Sequence, residues 1–383
     1  MNEKIQKNYI TFTVLISAGI ILRFIVMSLG YNYDFESYCV VGEIAGNFKN
    51  VYANTHRYNY GPVFFFIQGS LYRLAKVRPN EWVSVFRVLI VSVLTVADLG
   101  ITAFIAARYS LRKAAVFFLN PISVVITGYH NQFDNIAVLF ALLSILFYNE
   151  DEKFSAKDAG FVAMFTVSLV TKHILFLVPF FLLVKKGLPL RKKALYAFTP
   201  PALFLLSFVP FIINNQAAFE GVRDNVFLYR SKHNAPLLGY LYELTGFPER
   251  LIFVVYILMM ILLALVVRKW SYEKIILTYF IAMVCFSSAV ANQYLAIPMA
   301  SLCILDVGPF DKIYMFFMGI YLLLAKQAIG CYYHFISKRY EGTAFAAGCK
   351  SYIQNGFTIA AWILFLALLY IIVTEFMKSQ KNV

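Results

Sequence analysis

Residues 9–29 read YITFTVLISAGIILRFIVMSL, and a membrane-spanning helix needs about 20 predominantly apolar residues. The segment lacks a small-residue cleavage site, so it predicts a retained membrane helix and not a signal peptide. Directly after it, beyond Gly30, the chain changes to the aromatic and acidic sequence YNYDFESY at residues 31–38. The opening of the chain therefore predicts a membrane helix with a polar, acid-bearing segment at its mouth.

The composition extends this membrane assignment to the whole chain. Of 383 residues, 61% are hydrophobic, 17% are aromatic and 14% are charged. Soluble domains average about 25% charged residues. No stretch is both long and polar enough to form a separate soluble domain, so we expect a single integral-membrane domain over residues 1–383.

The apolar stretches predict an all-α polytopic transmembrane bundle of about twelve spans, with both termini in the cytoplasm. The predicted spans are 9–29, 82–107, 114–128, 136–148, 159–170, 174–184, 194–213, 251–267, 275–291, 293–307, 312–330 and 357–377. The four between 114 and 184 are short, so we expect tilted, broken or partly re-entrant helices. Long outer loops at about 31–82 and 214–250 complete the topology, and Val63–Leu74 predicts an interfacial helix.

The net charge of +14 comes from basic residues in short loops between apolar spans. Clusters at 108–113, 185–193 and 268–274 follow the positive-inside pattern, so we expect anionic lipid and not nucleic acid as the partner of this charge. The five cysteines form no C-x-x-C pair, which argues against a metal or redox site. A disulfide between Cys331 and Cys349 is an open alternative.

The segment at residues 31–38 holds two carboxylates, Asp34 and Glu36, at the boundary of the first span. Acidic residues are not ordinary topology anchors, because Lys and Arg have that role. Asp34 is therefore a candidate general base, and Glu36 is a second candidate. The alternatives are that Asp34 caps a helix or forms a weak surface ion pair with Arg57.

Further polar clusters lie on the same predicted face as Asp34. Their candidate residues are Arg57, Tyr58 and Tyr60 in the first loop, His130, Gln132 and Asp134 in a turn, Lys172 and His173, Arg230, Lys232 and His233 in the second long loop, and Gln293 and Tyr294. Aromatic faces beside hydrogen-bonding groups suit a carbohydrate, and outward-facing cations suit a lipid phosphate. The alternatives are hydrated turns, a snorkelling lysine and a solvated loop.

In this order, the segments resemble the GT-C class of integral-membrane glycosyltransferases. The resemblance is closest to the mannosyltransferases of GPI-anchor assembly, the ER glucosyltransferases of N-glycan assembly and their bacterial relatives. Asp34 matches the acidic residue of the first outer loop. The other matches are Tyr60-Gly61-Pro62 with a Tyr-Pro-Pro-like element, His130–Asp134 with an aromatic turn, Lys172-His173 with a Lys-Pro-like element, Arg230–Asn234 with an Arg-His-Asn element, and Asn292–Tyr294 with a Glu-Gln-Tyr element. Gly61, His173, Lys232 and Asn292 depart from the family pattern.

The resemblance implies a catalytic module at about 1–215 and variable helices at about 251–383. It implies transfer of a hexose, with mannose or glucose favoured, from a polyprenyl-phosphate carrier to a hydroxyl group of a lipid-linked or cell-surface glycan. Asp34 would be the base of an inverting attack. Arg230, Lys232, His233 and Lys172 would bind the donor phosphate, and the remaining candidates would bind sugar or acceptor. The chemistry requires no metal, and a divalent cation at Asp34 and Glu36 is an alternative.

A secondary transporter or a lipid-linked-sugar flippase is the alternative function. A transporter is expected to place ionisable residues at the middle of the membrane, where the predicted spans carry little charge apart from Asp98. The Phe-, Ile-, Lys- and Asn-rich composition suggests an AT-rich bacterial genome. We therefore expect the bacterial cytoplasmic membrane, or the ER membrane for a eukaryotic chain.

Overall fold

The computed structural model describes residues 3–228, 235–239, 245–246 and 251–381. Across these ranges the regular elements are helices, and none is a β-strand. The predicted all-α class is therefore confirmed.

The helices are numbered here in chain order. Helices α1 to α10 are Glu3–Ser28, Tyr33–Gly46, Val51–Asn54, Pro62–Ala75, Trp82–Arg108, Leu111–Leu119, Pro121–Val125, Asp134–Phe147, Ala156–Thr171 and Val178–Val184. Helices α11 to α20 are Leu190–Leu206, Val209–Ile212, Gln216–Gly221, Ile252–Val267, Tyr272–Phe286, Met299–Ile304, Phe310–Leu324, Ser337–Arg339, Ala344–Gln354 and Gly356–Lys381. Short π-helical and 3₁₀ turns connect several of them, including Ile126–His130, His173–Leu175 and Asn292–Ala296.

Within the described residues, four helical segments are long and apolar enough to cross a membrane. They are Ile10–Ser28, Trp82–Arg108, Leu190–Ile212 and Gly356–Gln380. Two bent pairs of helices raise this number to six if each pair counts as one span. These long apolar helices are compatible with an integral membrane protein.

The prediction of about twelve spans is not confirmed by helix length. The predicted spans 136–148 and 251–267 correspond to α8 and α14, which have 14 and 16 residues. At about 1.5 Å per residue they reach only about 21–24 Å, less than the roughly 30 Å of a bilayer core. Helices α15 and α17 have 15 residues each and fall short for the same reason.

Both bent pairs lie in the region where broken helices were predicted. The first bends by 46° between Leu111–Leu119 and Pro121–His130. Pro121 has no backbone N–H and begins a new helix, while the Asn120 side chain accepts a hydrogen bond from the Ser123 N–H at 2.8 Å. The second pair bends by 110° at Lys172, whose backbone is extended.

The predicted helix at Val63–Leu74 is confirmed as α4, which packs tightly against α2. A Cβ atom on Gly69 would lie 2.8 Å from the Cβ of Ala45, and one on Gly46 would lie 2.6 Å from the Tyr72 ring. The two glycines therefore allow the helix backbones to approach closely. This packing fixes the C-terminal half of α2 against α4, and the helix carries Asp34 at its other end.

A buried ion pair joins α1 to α5. The Arg23 guanidinium lies 2.9 Å from the Asp98 carboxylate, and both side chains are fully buried. Asp98 also accepts hydrogen bonds from Thr127 at 2.7 Å and from Asn135 at 2.6 Å. One carboxylate thus connects α1, α5, the turn after α7 and the start of α8.

The basic clusters meet at one end of the bundle, which we call the basic end. There Arg108 pairs with Glu273 at 2.9 Å, Lys185 pairs with Glu150 at 2.9 Å, and the Lys186 N–H donates to the Arg268 carbonyl oxygen at 2.7 Å. The three basic clusters that follow the positive-inside pattern in the sequence therefore lie together in the fold.

All five cysteines are free thiols. The alternative of a disulfide between Cys331 and Cys349 is therefore wrong, because the fold does not bring the two thiols together as a bonded pair.

We expect Arg23→Met to destabilise the protein by about 3–5 kcal/mol, because it leaves the Asp98 carboxylate buried and without its cation. Adding Asp98→Asn should recover part of this loss, since the amide oxygen still accepts a hydrogen bond and carries no charge. The midpoint of thermal unfolding in detergent measures both effects. A double variant less stable than Arg23→Met alone would contradict this account.

Candidate active site

The N-terminus of α2 presents Asp34. Asn32 is the helix cap, because its side-chain oxygen accepts a hydrogen bond from the Asp34 N–H at 3.1 Å. The Arg57 guanidinium lies 4.8 Å from the centre of the Tyr33 ring, and no ion pair joins it to Asp34 among the described residues. Both alternatives for Asp34, a helix cap and a partner of Arg57, are therefore wrong.

Amide groups hold the Asp34 carboxylate. Its Oδ2 atom accepts hydrogen bonds from Asn32 Nδ2 at 2.9 Å and from Gln132 Nε2 at 2.6 Å. Burial raises the pKa of Asp34 above its ordinary value, and the Asn32 amide and the nearby Lys172 charge oppose part of this rise. The carboxylate is therefore a stronger base than a solvent-exposed aspartate.

An irregular turn between α7 and α8 carries His130, Gln132 and Asp134. The π-helical segment Ile126–His130 ends at Asn131, whose φ of 57° is left-handed. The Asn131 side chain donates to the carbonyl oxygens of Thr127 and Gly128 at 3.1 and 2.8 Å. These bonds stabilise a conformation that Asn adopts more readily than most residues.

His130 extends the hydrogen-bond network of Asp34. The Asn32 amide nitrogen lies 2.8 Å from His130 Nδ1, and an amide nitrogen can only donate, so Nδ1 is the acceptor. The Tyr38 hydroxyl donates to Gln132 Oε1 at 3.4 Å. Asn32 and Tyr38 belong to this network but were not among the candidates from sequence, although both lie within the acidic segment that drew attention to Asp34.

Lys172 lies at the centre of the cluster. Its ammonium group pairs with Asp134 at 2.6 Å, and both side chains are almost fully buried. The same nitrogen lies 5.1 Å from the ring centres of Tyr60 and Phe133 and 5.6 Å from that of Tyr294. Aromatic faces stabilise a cation, so the three rings and the carboxylate compensate for burial of the charge.

The break in the helix pair positions Lys172. Helix α9 ends at Thr171, and the 3₁₀ turn His173–Leu175 follows the extended Lys172. The Tyr279 hydroxyl donates to the Ile174 carbonyl oxygen at 2.7 Å. An otherwise unpaired carbonyl at the break is thereby satisfied, and the lysine is directed into the cluster.

Tyr58, Tyr60 and Gly61 approach Lys172 from the first loop. The Tyr58 hydroxyl donates to the Gly61 carbonyl oxygen at 2.6 Å and the side chain is buried, so Tyr58 supports the loop. Tyr60 forms an edge-to-face contact with Phe133, with ring centres 4.9 Å apart. A Cβ atom on Gly61 would lie 2.1 Å from the Val170 carbonyl oxygen, which explains glycine at this position.

Other candidates lie at the margin of the cluster or outside it. Glu36 is exposed and directed away from Asp34, because residues two apart on a helix do not share a face. His173 packs between the rings of Tyr60 and Phe204, with centres 6.2 and 6.3 Å away. Gln293 is half-buried beside Tyr294. Arg230, Lys232 and His233 lie outside the described residues.

The alternative of a divalent cation at Asp34 and Glu36 stays a prediction. Their carboxylates are directed to different sides of α2, and Asp34 is already held by amide donors. In the described parts of the chain, no three His, Cys, Asp or Glu side chains cluster as metal ligands.

No family model, curated protein or solved structure matches this chain.

We expect Gly61→Ala to lower the free energy of unfolding by at least about 1–3 kcal/mol, because the new methyl group would overlap the Val170 backbone. Gly348→Ala is the matched control. Gly348 lies in α19, and no atom of the described residues lies within 4 Å of the position that a methyl group would take there, so alanine should raise stability by about 0.5–1 kcal/mol. Thermal unfolding midpoints of both variants test this, and equal stability of Gly61→Ala and wild type would contradict it.

Proposed function

We propose that this chain is a GT-C type glycosyltransferase that moves a hexose from a polyprenyl-phosphate carrier to a glycan hydroxyl group at the extracytoplasmic membrane face. The observation that carries the proposal is the Asp34 carboxylate. It is half-buried, its hydrogen-bond donors in the described chain are amide groups, and burial raises its pKa. A carboxylate in this environment is suited to general-base catalysis near neutral pH.

In the proposed reaction, Asp34 accepts the proton of the acceptor hydroxyl group. The hydroxyl oxygen attacks the anomeric carbon, and the bond from that carbon to the phosphate oxygen breaks on the opposite side. The electron pair leaves with the polyprenyl phosphate, so the anomeric configuration inverts. Phosphate is a stable leaving group, and for this reason the reaction needs no acid catalyst.

Buried polar atoms beside Asp34 support a sugar as the ligand. His130 Nε2, Asp134 Oδ1 and His173 Nδ1 have no hydrogen-bond partner within the described structure. A buried polar atom without a partner costs about 1–3 kcal/mol. Sugar hydroxyl groups both donate and accept hydrogen bonds, so a bound hexose would satisfy these atoms, with Tyr60 and Tyr294 as aromatic surfaces.

The donor phosphate is assigned to the second long loop. Lys172 was expected to contact this phosphate, but Asp134 already neutralises its ammonium group at 2.6 Å. In the proposal Lys172 instead stabilises negative charge in the cluster, including that of Asp34. Arg230, Lys232 and His233 then remain as the phosphate ligands, with Arg57 beside Tyr33 as a further cation.

A transporter is retained as the second candidate because of the Arg23–Asp98 pair. Both residues lie within membrane-spanning segments and are fully buried. Ionisable residues inside the membrane frequently mark ion pathways in transporters. The two functions differ in their requirement for Asp34, since only the transferase needs a base at that position.

We expect Asp34→Asn to reduce release of polyprenyl phosphate by about 10²–10⁴-fold, because the amide cannot accept the acceptor proton. The assay uses purified protein in proteoliposomes, a panel of polyprenyl-phosphate hexoses and a glycan acceptor. Glu43→Gln removes an exposed carboxylate from the same helix and should keep wild-type activity. Equal release by Asp34→Asn and wild type would contradict Asp34 as the base.

We expect activity to fall on the acid side as Asp34 becomes protonated, at a higher pH than for an ordinary aspartate, because burial raises its pKa. Gln132→Ala removes a hydrogen bond that favours the charged carboxylate. The acid limb of kcat/KM against pH should therefore move to higher pH. Gln216→Ala, which changes an exposed amide elsewhere, is the control, and a limb that moves to lower pH in Gln132→Ala would contradict this assignment.

A further inference from the structure

A cavity lies at the basic end, far from Asp34. It has a volume of about 490 Å³ and is bordered by the ends of α5, α8 and α10 and by the segment before α15. Helix α8 runs from Asp134 in the candidate active site to Phe147 near this cavity. At about 1.5 Å per residue, the two sites are about 20 Å apart.

The charged side chains of this cavity favour an anion. Arg108, Lys185 and Lys269 line it together with two carboxylates, Glu150 and Glu273. Each carboxylate is already paired, Glu150 with Lys185 and Glu273 with Arg108, both at 2.9 Å. Lys269 is exposed and forms no ion pair in the described chain, so the cavity retains one cation without a partner.

The remaining walls suit a ligand at a membrane surface. Trp270 lines the cavity beside Lys269, and Tyr148 stacks on Tyr272 with ring centres 4.3 Å apart. Trp and Tyr are enriched where membrane helices meet the head-group region. Basic pockets between such helix ends bind the head groups of anionic lipids.

We propose that this cavity binds a phosphate ester anion, supplied by the head group of an anionic phospholipid. Lys269 contacts the phosphate, while the Arg108–Glu273 and Lys185–Glu150 pairs border the cavity beside it. Trp270 lies against the glycerol region of the lipid. This inference is independent of the proposed transferase activity, because it concerns a different end of the bundle and a different ligand.

The test measures lipid binding to delipidated full-length protein in detergent, by native mass spectrometry and thermal stabilisation. Phosphatidylglycerol should bind at least about tenfold more tightly than phosphatidylcholine. Lys269→Ala should weaken phosphatidylglycerol binding by about tenfold, as expected for loss of one charge-assisted contact. Arg268→Ala is the matched control, because it removes the neighbouring exposed cation, which does not line the cavity, and it should bind as wild type does.

A second variant tests whether phosphatidylglycerol binding can be strengthened. Glu150→Gln removes the carboxylate that engages Lys185, so phosphatidylglycerol should bind about fivefold more tightly. Glycerol phosphate distinguishes the two sources of the phosphate ester. If it stabilises the protein as much as phosphatidylglycerol does, the site binds a soluble phosphate ester. If only phosphatidylglycerol stabilises the protein, the ligand is the lipid. Equal binding of both lipids, or equal loss in Lys269→Ala and Arg268→Ala, would overturn the proposal.

Discussion

The ion pair between Arg23 and Asp98 constrains the backbone that carries the candidate active site. Two opposite charges buried among apolar side chains must remain together, since separating them would leave each charge without compensation. Asp98 also holds Thr127 and Asn135, which flank the turn with His130, Gln132 and Asp134. Gly128 reinforces this arrangement, because its Cα approaches the Arg23 carbonyl oxygen so closely that a methyl group would lie 2.5 Å from it.

Interrupted helices create the polar cluster. A continuous helix satisfies its own backbone groups and directs side chains along a regular surface, whereas a break releases backbone groups and redirects the side chain beside it. Lys172 lies at such a break, and the Tyr279 hydroxyl satisfies the carbonyl oxygen of Ile174. The turn at Asn131 is a second such interruption, and it places His130 and Gln132 in the hydrogen-bond network of Asp34. The cluster is thus built from positions where regular helical structure ends.

Two carboxylates in this cluster have different environments. Asp134 is almost fully buried against the Lys172 ammonium group, so its charge is compensated directly. Asp34 is half-buried and held by the amides of Asn32 and Gln132, and burial raises its pKa. Separate environments allow neighbouring acids to have separate functions. In the proposed reaction Asp34 is the base, while Asp134 pairs with the Lys172 cation beside the aromatic rings.

The sequence by itself determined the all-helical class, the helix at Val63–Leu74, the interrupted helices between 114 and 184 and the polar segments that supply the cluster, because these follow from local apolar runs, Pro positions and composition. The expected number of about twelve spans is not confirmed, because several apolar runs form helices of 14 to 16 residues, which are shorter than the roughly 30 Å core of a bilayer. Only the tertiary structure decided that Arg23 pairs with Asp98, 75 residues away, and Lys172 with Asp134, 38 residues away. It also decided that Asn32, and not Asp34, caps α2. Such pairings depend on how helices distant in sequence pack together, and this packing cannot be read from the local sequence.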